Sequence, residues 1–358
     1  MEHSPDIARP TPARLLVVHF VGIGNGITAL PILKRLEETV PGIGFFHTAN
    51  PVFESPEFME WFNFRGFLGT VPAGWRRFAE DDWEGIEAFI RENRIGAVVN
   101  LRNEGPGRDT GYFRFRERMA GTAEFWHLDQ AALRARPAHR LLVDDQVGLF
   151  AEHGVELGDF DRGWLRRHLA ASGLLAAPSS AVGFFTGVNE SVKRWPPARW
   201  TALGRLVLRH TPLDVVVYAG AGEHELLQAR AAAAPLQAAF PGRVRLVEGL
   251  TLHQLCASLS ALSLVVSNDT SCVHIAAALG LPTVGLYFST NAAIWGGASD
   301  RFRAVQSRTG LECPAQKRDA GNCTFYYGGC PAPCMDEVSP ERVFAEVMQL
   351  ALPRAVAA

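Results

Sequence analysis

Residues 267–290 place an aspartate, a threonine and a histidine where a strand is predicted to pass into a helix. An apolar run ends just before them, Asp269 or Thr270 can cap the helix, and His274 lies one turn further along the same face. The unpaired N–H groups of such a helix start attract an anion, and the imidazole adds a donor. The segment therefore suits a phosphate group. The alternative is that Asp269 and Thr270 only cap the helix and that His274 is a hydrogen-bonded structural residue.

A second polar segment, residues 184–197, combines hydroxyl, amide and ammonium groups after another apolar run. Its lysine, Lys193, stands just before Trp195 and Pro196, which we expect to be structural residues at a helix start. A fixed ammonium beside hydroxyl or backbone donors stabilises negative charge on a departing phosphate oxygen. Without further context, a lysine before a helix is normally a solvated surface charge.

The cysteines form two groups. Cys256 and Cys272 lie in helical, apolar surroundings and are predicted to be small core residues. The other four follow the spacing C-x9-C-x6-C-x3-C, with glycines and prolines between them: Cys313, Cys323, Cys330 and Cys334. This spacing matches no common zinc signature, so a structural zinc or iron ion, free thiols and disulfides all stay open.

Strands and helices that position these groups are predicted by hydrophobic pattern. In the first half, an apolar run at residues 15–20 leads through a glycine-rich turn into helical spacing at 27–40, with a further strand at 96–101 and a helix at 141–153. In the second half, strands at 182–185, 214–218, 244–247 and 262–266 alternate with helices at 198–209, 223–234 and 252–261. This alternation predicts parallel, doubly wound sheets whose ligands bind beyond the carboxyl ends of the strands.

Length and composition indicate a globular protein of two domains. The chain has 358 residues, 47% of them apolar, and small residues with Pro178 interrupt the pattern near its middle. We therefore predict two Rossmann-like α/β domains facing a cleft, residues 1–175 and 176–358. A net charge of −2 argues against nucleic acid as a partner. Neither a signal-peptide pattern nor a membrane-length apolar run is present, which predicts a cytoplasmic protein.

The glycine turn after the first strand invites a dinucleotide interpretation. Gly22, Gly24 and Gly26 resemble part of the Rossmann fingerprint, but the third glycine is misplaced and no acidic residue closes a second strand at the required distance. A Rossmann oxidoreductase is therefore kept only as an alternative function.

Four segments, taken in chain order, resemble glycosyltransferase family 9, the heptosyltransferases and their relatives. These segments are residues 22–31, 184–196, 220–225 and 267–290, and the resemblance extends from residue 14 to about residue 345. It implies the GT-B architecture, with the acceptor bound by the N-terminal domain and a nucleotide-diphosphate sugar, ADP-heptose favoured, bound by the C-terminal domain. It also implies inversion at the anomeric carbon without a catalytic metal, and a place in lipopolysaccharide biosynthesis.

The same resemblance assigns the donor-binding residues. Lys193 neutralises the leaving diphosphate, Glu223 meets the ribose hydroxyls and Leu250 lies at the base. Ser271 stands where the family usually has glycine, so the backbone approach to the diphosphate differs there. The complete implied set is Thr186, Gly187, Asn189, Lys193, Glu223, Leu250, Asp269, Thr270, Ser271 and His274.

Acceptor binding is assigned to Gly24, Asn25 and Gly26, with Arg102 as a further contact. Many family members have an aspartate at the position of Asn25, and that aspartate is the proposed general base. An amide cannot take a proton at neutral pH, so Asn25 can only orient the acceptor hydroxyl.

The general base must therefore be another residue. Glu104 is the candidate by its location after the strand at 96–101, and Asp109 is a second one; both are otherwise solvated loop charges. A protein that binds a nucleotide sugar without transferring it is the alternative that the asparagine motivates.

Aromatic residues and arginines alternate through residues 58–78. The stretch fits either core packing or a peripheral contact at the inner membrane with a lipid-linked acceptor. Some relatives that glycosylate proteins carry an iron-bearing cysteine cluster. The sequence does not choose among a glycan such as the lipopolysaccharide core, a protein and a small metabolite as the acceptor.

Overall fold

The computed structural model describes residues 12–20, 22–102, 110–128, 140–159, 161–313, 316–317, 322–323 and 334–351. The chain divides into two compact units, residues 1–161 and 162–358. This division falls before the predicted boundary at residues 175 and 176, because the helix Trp164–Ala171 packs against the helix Ser271–Ala278 of the second unit.

Unit 1 holds a parallel sheet in the order β3-β2-β1-β4-β5. Its strands are β1 (Arg14–Val18), β2 (Gly44–Thr48), β3 (Phe67–Val71), β4 (Ala97–Asn100) and β5 (Glu124–His127). Its described α-helices are α1 (Ile23–Thr39), α2 (Pro56–Phe62), α3 (Trp83–Glu92), α4 (Thr110–Arg118) and α5 (Leu142–Glu152), with short 3-10 helices at Ala73–Arg77 and Glu80–Asp82.

Unit 2 holds a parallel sheet in the order β11-β10-β9-β6-β7-β8. Its strands are β6 (Ala181–Phe185), β7 (Asp214–Tyr218), β8 (Val244–Val247), β9 (Leu264–Asn268), β10 (Thr283–Tyr287) and β11 (Phe302–Gln306). Its described α-helices are α6 (Trp164–Ala171), α7 (Pro197–His210), α8 (Glu223–Ala239), α9 (Leu252–Ser260), α10 (Ser271–Ala278), α11 (Ala292–Trp295), α12 (Arg308–Glu312) and α13 (Pro340–Ala351), with a 3-10 helix at Ser191–Lys193. A two-stranded antiparallel ribbon joins β12 (Gln316–Lys317) to β13 (Asn322–Cys323).

Both parallel sheets reverse their strand order at one place, between the first and the fourth strand of the unit. In unit 1 this switch point lies between β1 and β4, and in unit 2 it lies between β6 and β9. Ligands of doubly wound sheets bind beyond the carboxyl ends of strands at such a point. The predicted α/β class is confirmed, and the loops after these four strands are where binding residues are expected.

The first helix begins earlier than the sequence predicts. The glycine segment was expected to form a turn before a helix at residue 27, but α1 starts at Ile23 because the Gly26 N–H donates to the Gly22 carbonyl at 3.1 Å. The first turn of α1 therefore contains Asn25. Gly22 is the N-cap residue and contributes no side chain to the helix start.

Aromatic residues of the stretch 58–78 mostly serve the core. Phe58, Phe62 and Phe78 are buried, and Phe62 stacks on Phe64 with ring centroids 5.4 Å apart. The core-packing interpretation is confirmed for these three side chains. Within the described ranges, no helix combines the length and the apolar composition needed to cross a bilayer.

Two buried histidines lie close together at the carboxyl edge of the first sheet. His19 and His47 are both 0% exposed, and their ring centroids are 5.9 Å apart. His47 Nδ1 donates to the Thr48 carbonyl at 2.6 Å, and Gln146 Nε2 donates to His19 Nε2 at 2.9 Å. Burial lowers the pKa of His47 to about 4 and lowers the pKa of His19 well below its usual range. Both rings are therefore neutral at pH 7.

Acidification is expected to destabilise the protein through these rings. Both pKa values are lower in the folded than in the unfolded chain, so the stabilisation is complete above about pH 6.5 and is lost as the pH falls; for His47 this loss extends down to about pH 4. The loss is about 1.4 kcal/mol per pH unit for each ring in that window. Denaturant unfolding at pH 7.5, 6.0 and 5.0 measures this slope. His47→Gln should give a shallower slope than the wild type, and equal slopes would contradict the assignment.

Candidate functional site

The two loops at the switch point of unit 2 are joined by one side chain. Asn268, the last residue of β9, donates from Nδ2 to the carbonyl of Thr186 at 2.9 Å, immediately after β6. The same amide accepts the Trp195 N–H through Oδ1 at 3.4 Å. The segment that carries Thr186 and Lys193 is therefore fixed against the segment that carries Asp269.

Lys193 and Asp269 form a buried ion pair at this point. Lys193 Nζ lies 2.9 Å from Asp269 Oδ2, and the two residues are 9% and 6% exposed. Thr290 Oγ1 donates to the same carboxylate oxygen at 2.7 Å. Because this ammonium is shielded from solvent, it interacts strongly with any anion that replaces the carboxylate or lies beside it. The sequence placed Lys193 and Asp269 in one site, and the structure brings them together.

The start of α10 is built as predicted. Thr270 is the N-cap residue, and its Oγ1 accepts the Cys272 N–H at 3.3 Å. Ser271 begins the helix and is partly exposed, so its backbone lies at the open end of the site. The positive end of α10 thus lies beside Lys193 and Asp269.

His274 follows one turn into α10. Its Nδ1 is buried and has no hydrogen-bond partner among the residues that the structure describes. Burial lowers the pKa of His274, nearby Asp269 opposes this and nearby Lys193 adds to it. A neutral ring at pH 7 with an unbonded buried nitrogen fits a ligand-binding residue better than a satisfied structural histidine.

The turn between β7 and α8 contacts the strand-end loop through a residue that sequence reasoning missed. Glu225 Oε2 accepts the Gly222 N–H at 3.0 Å, and a Cβ on Gly187 would lie 2.7 Å from Glu225 Oε1. A side chain at residue 187 would therefore have to displace the Glu225 carboxylate. Glu223, which was predicted to meet the ribose, is exposed at the first position of α8, where it is accessible to a ligand.

Other predicted donor residues surround this turn. Asn189 is exposed in the loop after β6, and Leu250 is 37% exposed just before the Thr251 cap of α9. Thr186 is buried, and its Oγ1 has no partner among the described residues. Thr290 was not foreseen, although its position after β10 places it at the same sheet edge as Asp269.

Asn25 lies at the switch point of unit 1 with a free side chain. Gly24 and Gly26 on either side of it are buried, whereas Asn25 is partly exposed and its amide makes no hydrogen bond to a described residue. Its Nδ2 lies 3.2 Å from the place where a Cβ on Gly22 would stand. The amide therefore folds back over Gly22 and is available to a ligand.

Arg102 is more deeply placed than a surface acceptor contact would be. It is 6% exposed, its guanidinium donates to the Arg76 carbonyl, and it lies over the Phe20 ring at 5.7 Å from the centroid. These contacts hold part of the guanidinium inside unit 1. Glu104 and Asp109 lie outside the described residues.

Two of the four clustered cysteines fall within the described structure with their side chains. Cys313 is partly exposed and its thiol is free, and Cys334 is buried. Cys330 and the side chain of Cys323 lie outside the described residues. No group of three or more metal-ligating side chains occurs among the described residues. Cys256 and Cys272 are each 0% exposed, which confirms their predicted place in the core.

The Glu337 carboxylate joins the residues before the cysteine segment (residues 313–334) to the residues after it. Its Oε2 accepts Ser307 Oγ at 3.0 Å and the Thr309 N–H at 2.9 Å. Ser307 precedes Cys313 by one short helix, and Glu337 follows Cys334 by three residues. Glu337 therefore joins the chain just before the cysteine segment to the chain just after it.

Comparison with known proteins identifies relatives of this chain. The family model of glycosyltransferase family 9 (heptosyltransferase) matches residues 114–323. Lipopolysaccharide heptosyltransferase 2 of Salmonella typhimurium is 26% identical over 178 residues, which are 49% of this chain and 48% of that protein. The chain thus spans about half the length of this curated relative.

Solved structures share the fold. Escherichia coli heptosyltransferase WaaC with ADP has a TM-score of 0.62 at 18% identity and covers 94% of this chain and 100% of its own. The iron-containing dodecameric glycosyltransferase TibC from enterotoxigenic E. coli has a TM-score of 0.54 at 12% identity, covering 95% of this chain and 76% of its own. At these identities the likeness shows the fold alone, and it confirms the expected GT-B class.

Proposed function

Because the chain belongs to glycosyltransferase family 9, the heptosyltransferases, we propose that it transfers heptose from ADP-heptose to a hydroxyl group of an acceptor. The observation that carries the proposal is the buried Lys193–Asp269 pair at the positive end of α10, with Nζ and Oδ2 2.9 Å apart. This arrangement suits a diphosphate, since it combines a fixed cation with a helix N-terminus.

In the proposed reaction, the acceptor oxygen attacks the anomeric carbon and the bond from that carbon to the diphosphate breaks with inversion. The electron pair leaves with ADP, whose new negative charge lies beside Lys193 and the start of α10. His274, neutral because of burial, offers one N–H to a phosphate oxygen. Thr290 keeps the Asp269 carboxylate in place while the ammonium turns toward the diphosphate. The proposal uses no metal for this step.

Acceptor activation is divided between two residues in this proposal. Asn25 orients the attacking hydroxyl with its free amide, and Glu104 takes the proton. The acceptor is a hydroxyl of a glycan, a protein or a small metabolite. Loss of transfer in Glu104→Gln, with folding and donor binding retained, would support this base.

Donor binding is tested by a thermal-shift titration of the purified protein against ADP, UDP, GDP and NAD. A ligand that binds the folded state at 100 times its Kd stabilises it by about 2.7 kcal/mol, which raises Tm. We expect the shift with ADP. A shift with UDP or GDP alone would replace the donor, and a shift with NAD alone would contradict the transferase.

A binding protein without transfer activity is the second candidate, because an amide occupies the position of the family's usual base. The two candidates separate in one assay: ADP-heptose is supplied to the protein, and ADP release with heptosylated product is followed by mass spectrometry. Binding of ADP without any product from lipopolysaccharide, protein or small-molecule acceptors would favour the second candidate.

For the cysteine segment we propose one structural zinc or iron ion bound by Cys313, Cys323, Cys330 and Cys334. Two observations support it: the Cys313 thiol is free, and Glu337 joins the chain just before Cys313 to the chain just after Cys334. A similar fold, that of TibC, is described as iron-containing. Thiolates are suitable ligands for either metal.

The metal content of the purified protein tests this proposal directly. We expect about one equivalent of zinc or iron by mass spectrometry of the digested protein, as a single four-thiolate site implies. The double variant C313S/C334S should lose it. Cys256→Ser removes a buried core thiol outside the segment and should retain the metal. A metal-free wild type whose four thiols all react with a thiol reagent would contradict the site.

A further inference from the structure

The side chain of Asn50 holds the glycine segment at the start of α1. Asn50 is 1% exposed and follows β2 by two residues. Its Nδ2 donates to the Phe20 carbonyl at 3.1 Å and to the Gly22 carbonyl at 3.0 Å, and its Oδ1 accepts the Val52 N–H at 2.9 Å. Both amide hydrogens and the amide oxygen are thus used. The opposite amide orientation would set oxygen against two carbonyls, so these contacts fix the orientation.

One of these carbonyls begins α1. The Gly22 carbonyl also accepts the Gly26 N–H at 3.1 Å, which closes the first turn of the helix around Asn25. The Asn25 carbonyl in turn accepts Thr28 Oγ1 at 3.0 Å. Asn50 therefore fixes the Gly22 carbonyl, at which the first turn of α1 begins. This turn contains Asn25.

Steric contact at Gly26 fixes the same turn from the other side. A Cβ at this position would lie 2.4 Å from Asn50 Oδ1 and 2.8 Å from Val52 Cβ. The turn can approach the Asn50 side chain so closely only because residue 26 is glycine. The backbone of Asn25 therefore has little freedom to move, and its side-chain amide lies over Gly22.

We propose that Asn50 is a positioning residue, which holds the first turn of α1 so that the Asn25 amide faces the acceptor hydroxyl. This inference rests on the acceptor role proposed for Asn25. Asn50 itself is buried under the turn and touches its backbone rather than a ligand. A misplacement of about 1 Å in an orienting group lowers turnover by up to about 100-fold, so a residue of this kind affects catalysis without touching the reacting atoms.

The test compares Asn50→Ala and Asn50→Asp with Asn93→Ala. Aspartate keeps the shape and the acceptor for the Val52 N–H but turns an oxygen toward the two carbonyls. Asn93 is a matched control in unit 1, because its Nδ2 also donates to a backbone carbonyl, that of Phe89 at 3.0 Å, at the end of α3. If Asn50→Ala fails to fold, the isosteric variant Asn50→Asp is compared with Asn93→Ala instead.

The first readout is the NMR signal of the Asn25 side-chain amide, identified by its disappearance in Asn25→Ala. We expect it to move in both Asn50 variants and to stay in place in Asn93→Ala. This readout needs no turnover, so it decides the position of Asn25 even if the wild type transfers no sugar. An unmoved signal in both Asn50 variants would overturn the inference.

The second readout is ADP release from ADP-heptose, with lipopolysaccharide from a heptose-deficient strain as the acceptor probe. We expect Asn50→Ala to lower kcat by about 10- to 100-fold while the Kd for ADP changes by less than about twofold. In an Asn25→Ala background, Asn50→Ala should change kcat by less than about twofold, because the group it positions is gone. Additive losses in the double variant would show that Asn50 acts on something other than Asn25. No turnover in the wild type with lipopolysaccharide, protein or small-molecule acceptors would instead refute the proposed function.

Discussion

Replacing Lys193 with methionine is expected to lower kcat for sugar transfer by about 100- to 1,000-fold. Lys193 is 9% exposed and its ammonium lies 2.9 Å from Asp269 Oδ2, so its charge is fixed where water reaches it poorly. Charge on the leaving diphosphate grows as its bond to the sugar breaks, so a fixed cation stabilises the transition state more than the bound donor. Methionine keeps the length of the apolar stem and removes the charge. Steady-state ADP release at saturating ADP-heptose measures the loss.

A double variant separates this electrostatic effect from damage to the fold. Lys193→Met leaves the buried Asp269 carboxylate facing an apolar side chain, which costs stability. K193M/D269N removes both charges, so it should recover unfolding free energy relative to Lys193→Met without recovering kcat. Lys193→Met with more than about half of the wild-type kcat would refute the leaving-group role.

Trp195→Ala is expected to lower the free energy of unfolding by about 3–5 kcal/mol. Trp195 is 0% exposed, packs edge-on against Trp200 with ring centroids 5.1 Å apart, and donates from Nε1 to the Val338 carbonyl at 3.0 Å. Truncation removes a large buried side chain, leaves a cavity and removes one of the two donors to the Val338 carbonyl, which keeps Arg199 Nη1 at 3.3 Å. Chemical denaturation of the purified variant measures the change.

A conservative variant divides the loss into packing and hydrogen bonding. Trp195→Phe retains a ring against Trp200 but cannot donate to Val338, so it should cost less than alanine, about 1–3 kcal/mol. Trp195 also precedes Pro197 in the first turn of α7 and follows Lys193 by two residues. Both variants should therefore reduce the ADP-induced rise in Tm as well. Equal stability of Trp195→Ala and the wild type would contradict the anchoring role.

Hydrophobic pattern predicted much of the second unit because its central strands are largely apolar. The strands Asp214–Tyr218 and Val244–Val247 have the predicted bounds, and β9 begins two residues later than expected. Parallel strands buried on both faces must be apolar throughout, so their signal in the sequence is strong. The Thr251 cap and the Thr270 cap follow from local spacing in the same way.

Three strands of the first unit carried a weaker signal. Two of them, Gly44–Thr48 and Glu124–His127, contain histidine, and Phe67–Val71 contains a glycine with φ of +134° and four exposed or partly exposed positions. β3 and β5 are edge strands, so pairing on one side only leaves less apolar sequence to recognise. The early start of α1 likewise depended on the Gly22 carbonyl, which residue types alone do not place.

By itself, the sequence determined the residue types available for chemistry, the order of strands and helices between residues 181 and 287 of the second unit, and the family. These depend on local patterns and on motifs read along the chain, so no tertiary contact was needed to predict them. Only the tertiary structure decided that Thr290 bonds to Asp269, that Glu225 packs on Gly187, and that Asn50 holds Gly22. Each of these contacts joins the ends of different strands. Which strand ends become neighbours is set by sheet order and register, and side-chain spacing along the chain does not contain that information.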